Sequence, residues 1–323
     1  MSKKNETYYY LRDAVGAAIM SLADENSRVV FVSANVMSSC RVLGSVEKYS
    51  KRSFNVGIAE QNMISFSAGL AREGLLPFAF TMAPFMSMRA CEQVRTDVAY
   101  NNLNVRMIAP YAGVSGGISG ATHWAIEDCA IMSGIPGMTI LEPCDPIQAK
   151  KMIEATIDYD GPIYMRIGIE GVTSIYSEKY DYQIGKADII SYGNDGAFIC
   201  SGVIVKYALQ ASERIYKETG KKITVIDMHT VKPIDVEAIS IAARTGNVIV
   251  AQDHNIIGGL GNLVASVIVE KGYKCNYKTI GIPDKFVVMA HAPFLYHKYG
   301  LDADGLYNSM KNMLFSEKNI WED

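Results

Sequence analysis

The sequence predicts an α/β protein made of two consecutive doubly wound domains, each an open, mostly parallel sheet with helices on both faces. Three observations carry this. Short continuous apolar runs, such as Val29-Val-Phe-Val-Ser33 and Ala197-Phe-Ile-Cys-Ser201, suit strands buried on both faces. Longer segments with apolar residues at helical spacing separate these runs, so strand and helix alternate in both halves. Residues 171–186 are polar, rich in Tyr, Ser and Asp, and carry no period. A domain boundary is expected there, giving domains 1–175 and 186–323, ordinary sizes for a chain of 323 residues.

In the first half a helix is expected over 8–24, with Leu11, Val15 and Ile19 on one face, followed by the strand at 29–33. The loop Ala34–Cys40 comes next, at a strand C-terminus, where α/β sheets bind ligands. Glu60 opens a helix to about Arg72, with Met63, Phe66, Ser67 and Leu70 at helical spacing and Gly74 closing it. Strands follow at 77–81 and 105–109, with a helix from about Met86 to Tyr100 between them. The stretch from Tyr111 to His123 is glycine-rich and expected to open a helix at about Trp124. Gly113, Gly116, Gly117 and Gly120 suit positive φ or close approach to a ligand. A strand at 138–141 precedes a helix capped by Asp145 with Pro146 in its first turn. Ile163–Ile167 is the last strand of this half. The second half alternates likewise: strand 197–201, helix 203–218, strand 223–227, helix 235–244, strand 247–251, a helix to about Glu270, strand 276–281 and a last helix over 304–315.

Composition narrows the function. Net charge is -3 with no basic face, which argues against nucleic acid as a partner. Six scattered cysteines without a C-x-x-C pair give no zinc signature and suit free thiols in a reducing compartment. The polar N-terminus and the lack of a long apolar run point to a cytoplasmic protein that does not engage a membrane.

Chemistry-bearing residues each have a plain structural alternative. A carboxylate in a helix's first turn complements the helix dipole. Glu60 follows Val56, Ile58 and Ala59, so a dry pocket is expected around it, in which a carboxyl stays protonated and donates to a bound heterocycle. Arg166 lies in an apolar strand, a place from which arginine can face an anionic ligand, although a plain charge role is the commoner case. Arg12 and Ser38-Ser39 could be ordinary surface and turn residues. His123 closes the glycine-rich stretch. Gly258-Gly-Leu-Gly261 suits a helix start better than a dinucleotide loop. Asp253 and His254 are neighbours on a strand and point to opposite faces, which suits structural or interface roles.

Several motifs in order carry a resemblance. Gly57-Ile-Ala-Glu60-Gln-Asn and Gly120-Ala-Thr-His123-Trp-Ala-Ile-Glu127-Asp resemble the pyrimidine-binding domain of the transketolase superfamily. Ile226-Asp-Met-His-Thr-Val-Lys-Pro233 and His254-Asn-Ile-Ile-Gly-Gly-Leu-Gly261 are similar to its C-terminal domain. The resemblance spans roughly residues 8–285. It implies thiamine diphosphate chemistry: transfer of a two-carbon ketol unit from a ketose to an aldehyde. The family's glutamate at the Glu60 position hydrogen-bonds the aminopyrimidine ring and favours its imino tautomer. Phe85 matches the aromatic that packs on that ring, Met82 stands where another aromatic is frequent, and Arg89 follows on the cofactor side. Arg12, Ser39 and Arg166 match three members of the sugar-phosphate clamp, and Tyr111 replaces its usual histidine. His123 matches the histidine near the reacting carbons, which makes it a catalytic candidate with Glu60. Ser119 replaces the aspartate that reads a substrate hydroxyl, so the implied substrate is not the ordinary pentose phosphate.

The family's diphosphate and Mg2+ site uses Gly-Asp-Gly, and no such motif occurs here. The chain itself is expected to hold no metal. It resembles the C-terminal subunit of a split transketolase, completed by an N-terminal-type subunit in an α2β2 assembly. A related thiamine enzyme using a 2-oxo acid donor, of the deoxyxylulose-phosphate-synthase or oxo-acid dehydrogenase β-subunit kind, is the alternative; a non-catalytic scaffold is a third.

Overall fold

The computed structural model describes residues 9–315. The expected helix start at residue 8 and the outer domain bounds, 1 and 323, lie outside the described residues. A 7-stranded sheet runs in the order Thr230–Lys232, Thr139–Leu141, Ile163–Ile167, Arg106–Pro110, Leu76–Phe80, Val29–Ser33, Ser53–Asn55. Every neighbouring pair is parallel except the first. A 5-stranded sheet runs Asn276–Ile282, Asn247–Asn255, Gly196–Cys200, Ile223–Asp227, Asp188–Ser191, with only the last pair antiparallel.

The strand period of two sorts side chains onto two faces. Val29 and Phe31 enter one apolar layer with Phe78 and Phe80, whereas Val30 and Val32 enter the other with Ala79. Both layers continue into the second half, through Phe198 and Cys200 on one side and Ala197 and Ile199 on the other. Helices cover both faces, which is why the strands read as unbroken apolar runs. The strand Thr230–Lys232 follows Ile223–Asp227 in sequence yet pairs with Thr139–Leu141 in the first sheet. The halves therefore share a sheet, a pairing that three residues carry too little pattern to announce. Tyr9–Tyr10 pairs with Gly171–Val172, which ties the chain's start to the connecting stretch.

That stretch is also tied by polar groups. Asp227 is fully buried, and its Oδ2 accepts from Gln148 (2.7 Å), the Tyr176 hydroxyl (2.8 Å) and Cys144 (3.2 Å). Tyr180 donates to Asp188, which also lies 3.1 Å from the Tyr176 hydroxyl and 3.3 Å from His229 Nε2. Asp227 Oδ1 has no partner among the described residues. Burial pushes the Asp227 carboxyl up to about 6 from 3.8. A raised folded-state value contributes stability that is present below 3.8 and lost as pH rises through about 6, so at neutral pH the buried charge is a cost. Asp227→Asn keeps the shape and one acceptor. It is expected to be more stable than the wild type by roughly 1–3 kcal/mol at neutral pH, an advantage that shrinks as pH falls towards 4. Urea denaturation of both proteins across that range measures the difference.

Candidate active site

Glu60 is the first residue of the helix Glu60–Arg72, entered from the strand Ser53–Asn55 through a turn at Gly57, whose φ is +77°. Asn55 accepts from the Gly57 and Asn35 N–H groups, which joins the loops that follow two neighbouring strands. The Glu60 side chain is 1% exposed. Its surroundings correct the expectation of an apolar cage. Ile58 is 75% exposed, and the groups that close over the carboxyl are polar. Arg89 Nη1 lies 2.7 Å from Oε2, and the Thr81 hydroxyl lies 3.4 Å from Oε1. Arg89 stands 29 residues further along, so no pattern local to Glu60 shows this partner.

The expected helix from Met86 to Tyr100 is two π-wound stretches, Phe85–Arg89 and Val94–Ala99, around Cys91–Gln93. Such wide turns recur at functional sites. The Met82 carbonyl accepts the N–H groups of Phe85 and Met86 and so starts the turn that presents Phe85. The Arg89 guanidinium stacks 4.2 Å from the Phe85 ring centroid. Phe85 in turn meets His123 edge-on, centroids 5.8 Å apart. Glu60, Arg89, Phe85 and His123 thus form one chain of contacts at the C-terminal end of the first sheet. Thr81 belongs with them, although sequence reasoning does not single it out; the one signal is a polar residue ending a buried apolar strand.

His123 does not open a helix. The next helix is Asp128–Ser133, and His123 is exposed, with Nδ1 2.8 Å from the Thr122 hydroxyl. The glycine-rich stretch winds tightly over Gly113–Ser119 with a break at Gly117, whose φ is +56°, and then loops round so that Ala112 bridges to Ala125 in parallel. Ser119 ends that segment half-buried, beside Ile118, which is 62% exposed. Tyr111 is half-buried and held at a φ of +67°, a costly backbone for an L residue and one that clusters at functional sites. Arg12 is half-buried and reaches the Ser39 carbonyl at 3.4 Å, while its Nε is buried with no partner among the described residues. The structure thus brings Arg12 to Ser39 through the backbone rather than the hydroxyl.

Arg166 is a correction. It is completely buried, with its guanidinium taken up by acidic partners. It donates to Asp128 at 2.9 and 3.1 Å, to Glu142 at 2.5 Å and to the Asp253 carbonyl at 3.0 Å. These bonds use four of the five N–H donors of a guanidinium. Burial alone would raise the Asp128 carboxyl; the charge and hydrogen bonds of Arg166 outweigh it and hold that carboxyl below its usual range. Glu142 is held further by Ser201 and Gln252 from the second half. Asp253 and His254 diverge as their strand positions require. Asp253 turns to the glycine-rich segment, whereas His254 packs 3.9 Å from Asp128 and is pushed down to about 4 by burial.

A model of the transketolase pyrimidine-binding domain matches residues 9–168, and one of the transketolase C-terminal domain matches residues 185–306. The chain belongs to the transketolase family. It is 35% identical to the 6-deoxy-6-sulfo-D-fructose transketolase subunit SqwH of Clostridium sp. (strain MSTE9), covering 91% of each chain. It is 35% identical to an apulose-4-phosphate transketolase subunit of Phocaeicola vulgatus, over 89% of this chain and 92% of that one. Among solved structures it resembles a split-gene transketolase described as an inactive β4 tetramer. That match has a TM-score of 0.85 and 33% identity, and covers 95% of this chain and 99% of the other. The transketolase family typically uses thiamine diphosphate. The Glu60 site fits the pyrimidine end of that cofactor: a buried carboxyl whose oxygens hold two partners among the described residues, one of them at 3.4 Å, with the Phe85 ring joined to it through Arg89.

Proposed function

We propose that this chain is the pyrimidine-side subunit of a two-chain transketolase, transferring a two-carbon ketol unit from a ketose donor to an aldehyde acceptor. The observation that carries this is the buried carboxyl of Glu60, set at a helix start and linked through Arg89 and Phe85 to His123. Thiamine diphosphate, when bound, would supply the carbon that attacks the ketose carbonyl. Glu60 would hold the aminopyrimidine ring by a hydrogen bond, taking it in place of Arg89. Arg89 is half exposed, so its guanidinium can return to water once the ring takes its place at the carboxyl. Phe85 and Met82 would orient the ring. His123 would hold a proton at a substrate oxygen near the reacting carbons.

Arg12, Ser39 and Tyr111 would bind the far end of the sugar. With Arg166 committed to Asp128 and Glu142, the clamp has one arginine rather than two. Ser119 is short and neutral where an acid would read a hydroxyl. Both features support a donor other than the ordinary pentose phosphate, and the names of the subunit relatives suit such a reading. A separate N-terminal-type subunit would hold the diphosphate and Mg2+, in a cytoplasmic α2β2 assembly, with domains at 1–175 and 186–323. The test mixes this chain with such a subunit, thiamine diphosphate and Mg2+, and assays a panel of ketose donors. Ketol transfer by the mixture, and by neither chain alone, is expected. No transfer from any ketose would overturn the proposal, and carbon dioxide release from pyruvate would move the donor to a 2-oxo acid.

A further inference from the structure

The glycine-rich segment ends on the residues proposed to meet the substrate, Ser119 and His123, yet it is seated on the second half. Asp253, 3% exposed, faces the segment's start. Its Oδ1 accepts the Val114 N–H at 2.9 Å and its Oδ2 the Ser115 N–H at 3.2 Å. The Tyr296 hydroxyl donates to the same Oδ2 at 2.8 Å, and Arg166 fixes the Asp253 carbonyl. Two successive backbone N–H groups on one carboxylate form an anion nest filled by the protein itself. Gly113 permits this approach: a Cβ there would lie 2.1 Å from the Asp253 Cγ, and its φ is +64°. Further along, the Gly117 Cα faces the backbone of residues 290–292, a Cβ there meeting it at 3.5 Å, and Gly120 faces Met289. The Gly120 carbonyl then accepts the His123 N–H at 2.9 Å. Gly113, expected to let a ligand approach, lets the second half approach instead. Beyond it the Gly120 N–H bonds the Gly117 carbonyl at 3.4 Å, so the end seated on Asp253 and the end that carries His123 belong to one locally bonded stretch.

We infer that Asp253 is a positioning residue: from the C-terminal half it fixes the glycine-rich segment so that Ser119 and His123 face the substrate. This rests on the proposed roles of those two residues. A carboxylate can accept both N–H groups with charge-assisted bonds. An amide at the same place keeps one acceptor and turns an N–H donor against the other N–H. Asp253→Asn should therefore free the segment, and Asp253→Glu, one methylene longer, should restore part of the hold.

Hydrogen exchange of the full chain, followed over residues 112–124 and over 144–153, tests the inference. The second peptide carries Gln148, which joins the halves elsewhere. Asp253→Asn is expected to speed exchange about tenfold in the first peptide and leave the second unchanged. Tyr296→Phe, which removes one donor and no charge, should give a smaller change in the same direction and serves if Asp253→Asn does not fold. In the assembled enzyme the KM for the ketose should rise about tenfold, kcat should fall as well because His123 is displaced with the segment, and Asp253→Glu should recover part of both losses. Unchanged exchange at 112–124, or equal loosening of both peptides, would overturn the inference, as would a loosened segment with an unchanged KM. If the wild-type pair transfers no ketol unit, the proposed function fails by itself, and the exchange arm still decides whether Asp253 holds the segment.

Discussion

Glu60→Gln, assembled with a diphosphate-binding subunit and thiamine diphosphate, is expected to transfer ketol units about 10²–10⁴-fold more slowly than the wild type, the range for removing a positioned acid–base group. The substitution is nearly isosteric, so the buried side chain at the start of the helix Glu60–Arg72 keeps its volume. What it loses is the carboxyl group that can hold or release a proton at the ring. Stability should change by no more than about 1 kcal/mol, because the lost ion pair is to an arginine that is 46% exposed. Rate measurements on the assembled enzyme, with thermal melts of the free chain, separate the two effects. A wild-type rate from Glu60→Gln would remove Glu60 from the chemistry and with it the main support for the proposed function.

Arg166→Ala is expected to destabilise the chain by roughly 3–5 kcal/mol, because it leaves Asp128 and Glu142 buried without their counter-charge. Two carboxylates would then face each other in a place that water does not reach, and Tyr164, Gln252 and Ser201 would be the remaining donors to them. A loss on this scale is a large fraction of an ordinary domain's stability and should appear as a much lower urea midpoint. The same experiment separates the observed role from the one expected from sequence. A side chain that bound the sugar's far end would, when removed, raise KM and leave the midpoint nearly unchanged. A residue that joins the halves, through Asp128 and Glu142 on one side and the Asp253 carbonyl on the other, should do the reverse.

The contrast between Glu60 and Arg166 marks what a sequence can show here. The resemblance in sequence assigns both a role at the site. Glu60 is legible because a helix start is a local event, set by Gly57 and by the apolar spacing that follows. Its partner Arg89 is not, because the pairing depends on the π-wound stretch Phe85–Arg89, and a change of winding leaves no mark in apolar spacing. In sequence, Arg166 reads as a free cation in an apolar strand. Its anions come from Asp128 and Glu142, 38 and 24 residues away and on different elements, so only the packed sheet reveals that it is neutralised. The glycines from 113 to 120 are legible as points of close approach. What approaches them, Asp253 and residues 289–292, is more than a hundred residues distant.

Local order along the chain is enough to set the α/β class, the alternation of strands and helices in both halves, and the helix start at Gly258-Gly-Leu-Gly261, where Gly259 precedes the helix Leu260–Glu270. These follow from interactions within one or two turns of chain or from the periodicity of one element, and both are written in local order. The joining of the halves is settled only by packing: the strand Thr230–Lys232 in the first sheet, the pairing of Arg166 with Asp128 and Glu142, and the seating of the glycine-rich segment on Asp253. Each is a meeting of groups far apart in the chain, where burial leaves a polar group no water to bond and the nearest complementary group becomes its partner. Local sequence sets which groups need partners; the packed fold sets which ones they find.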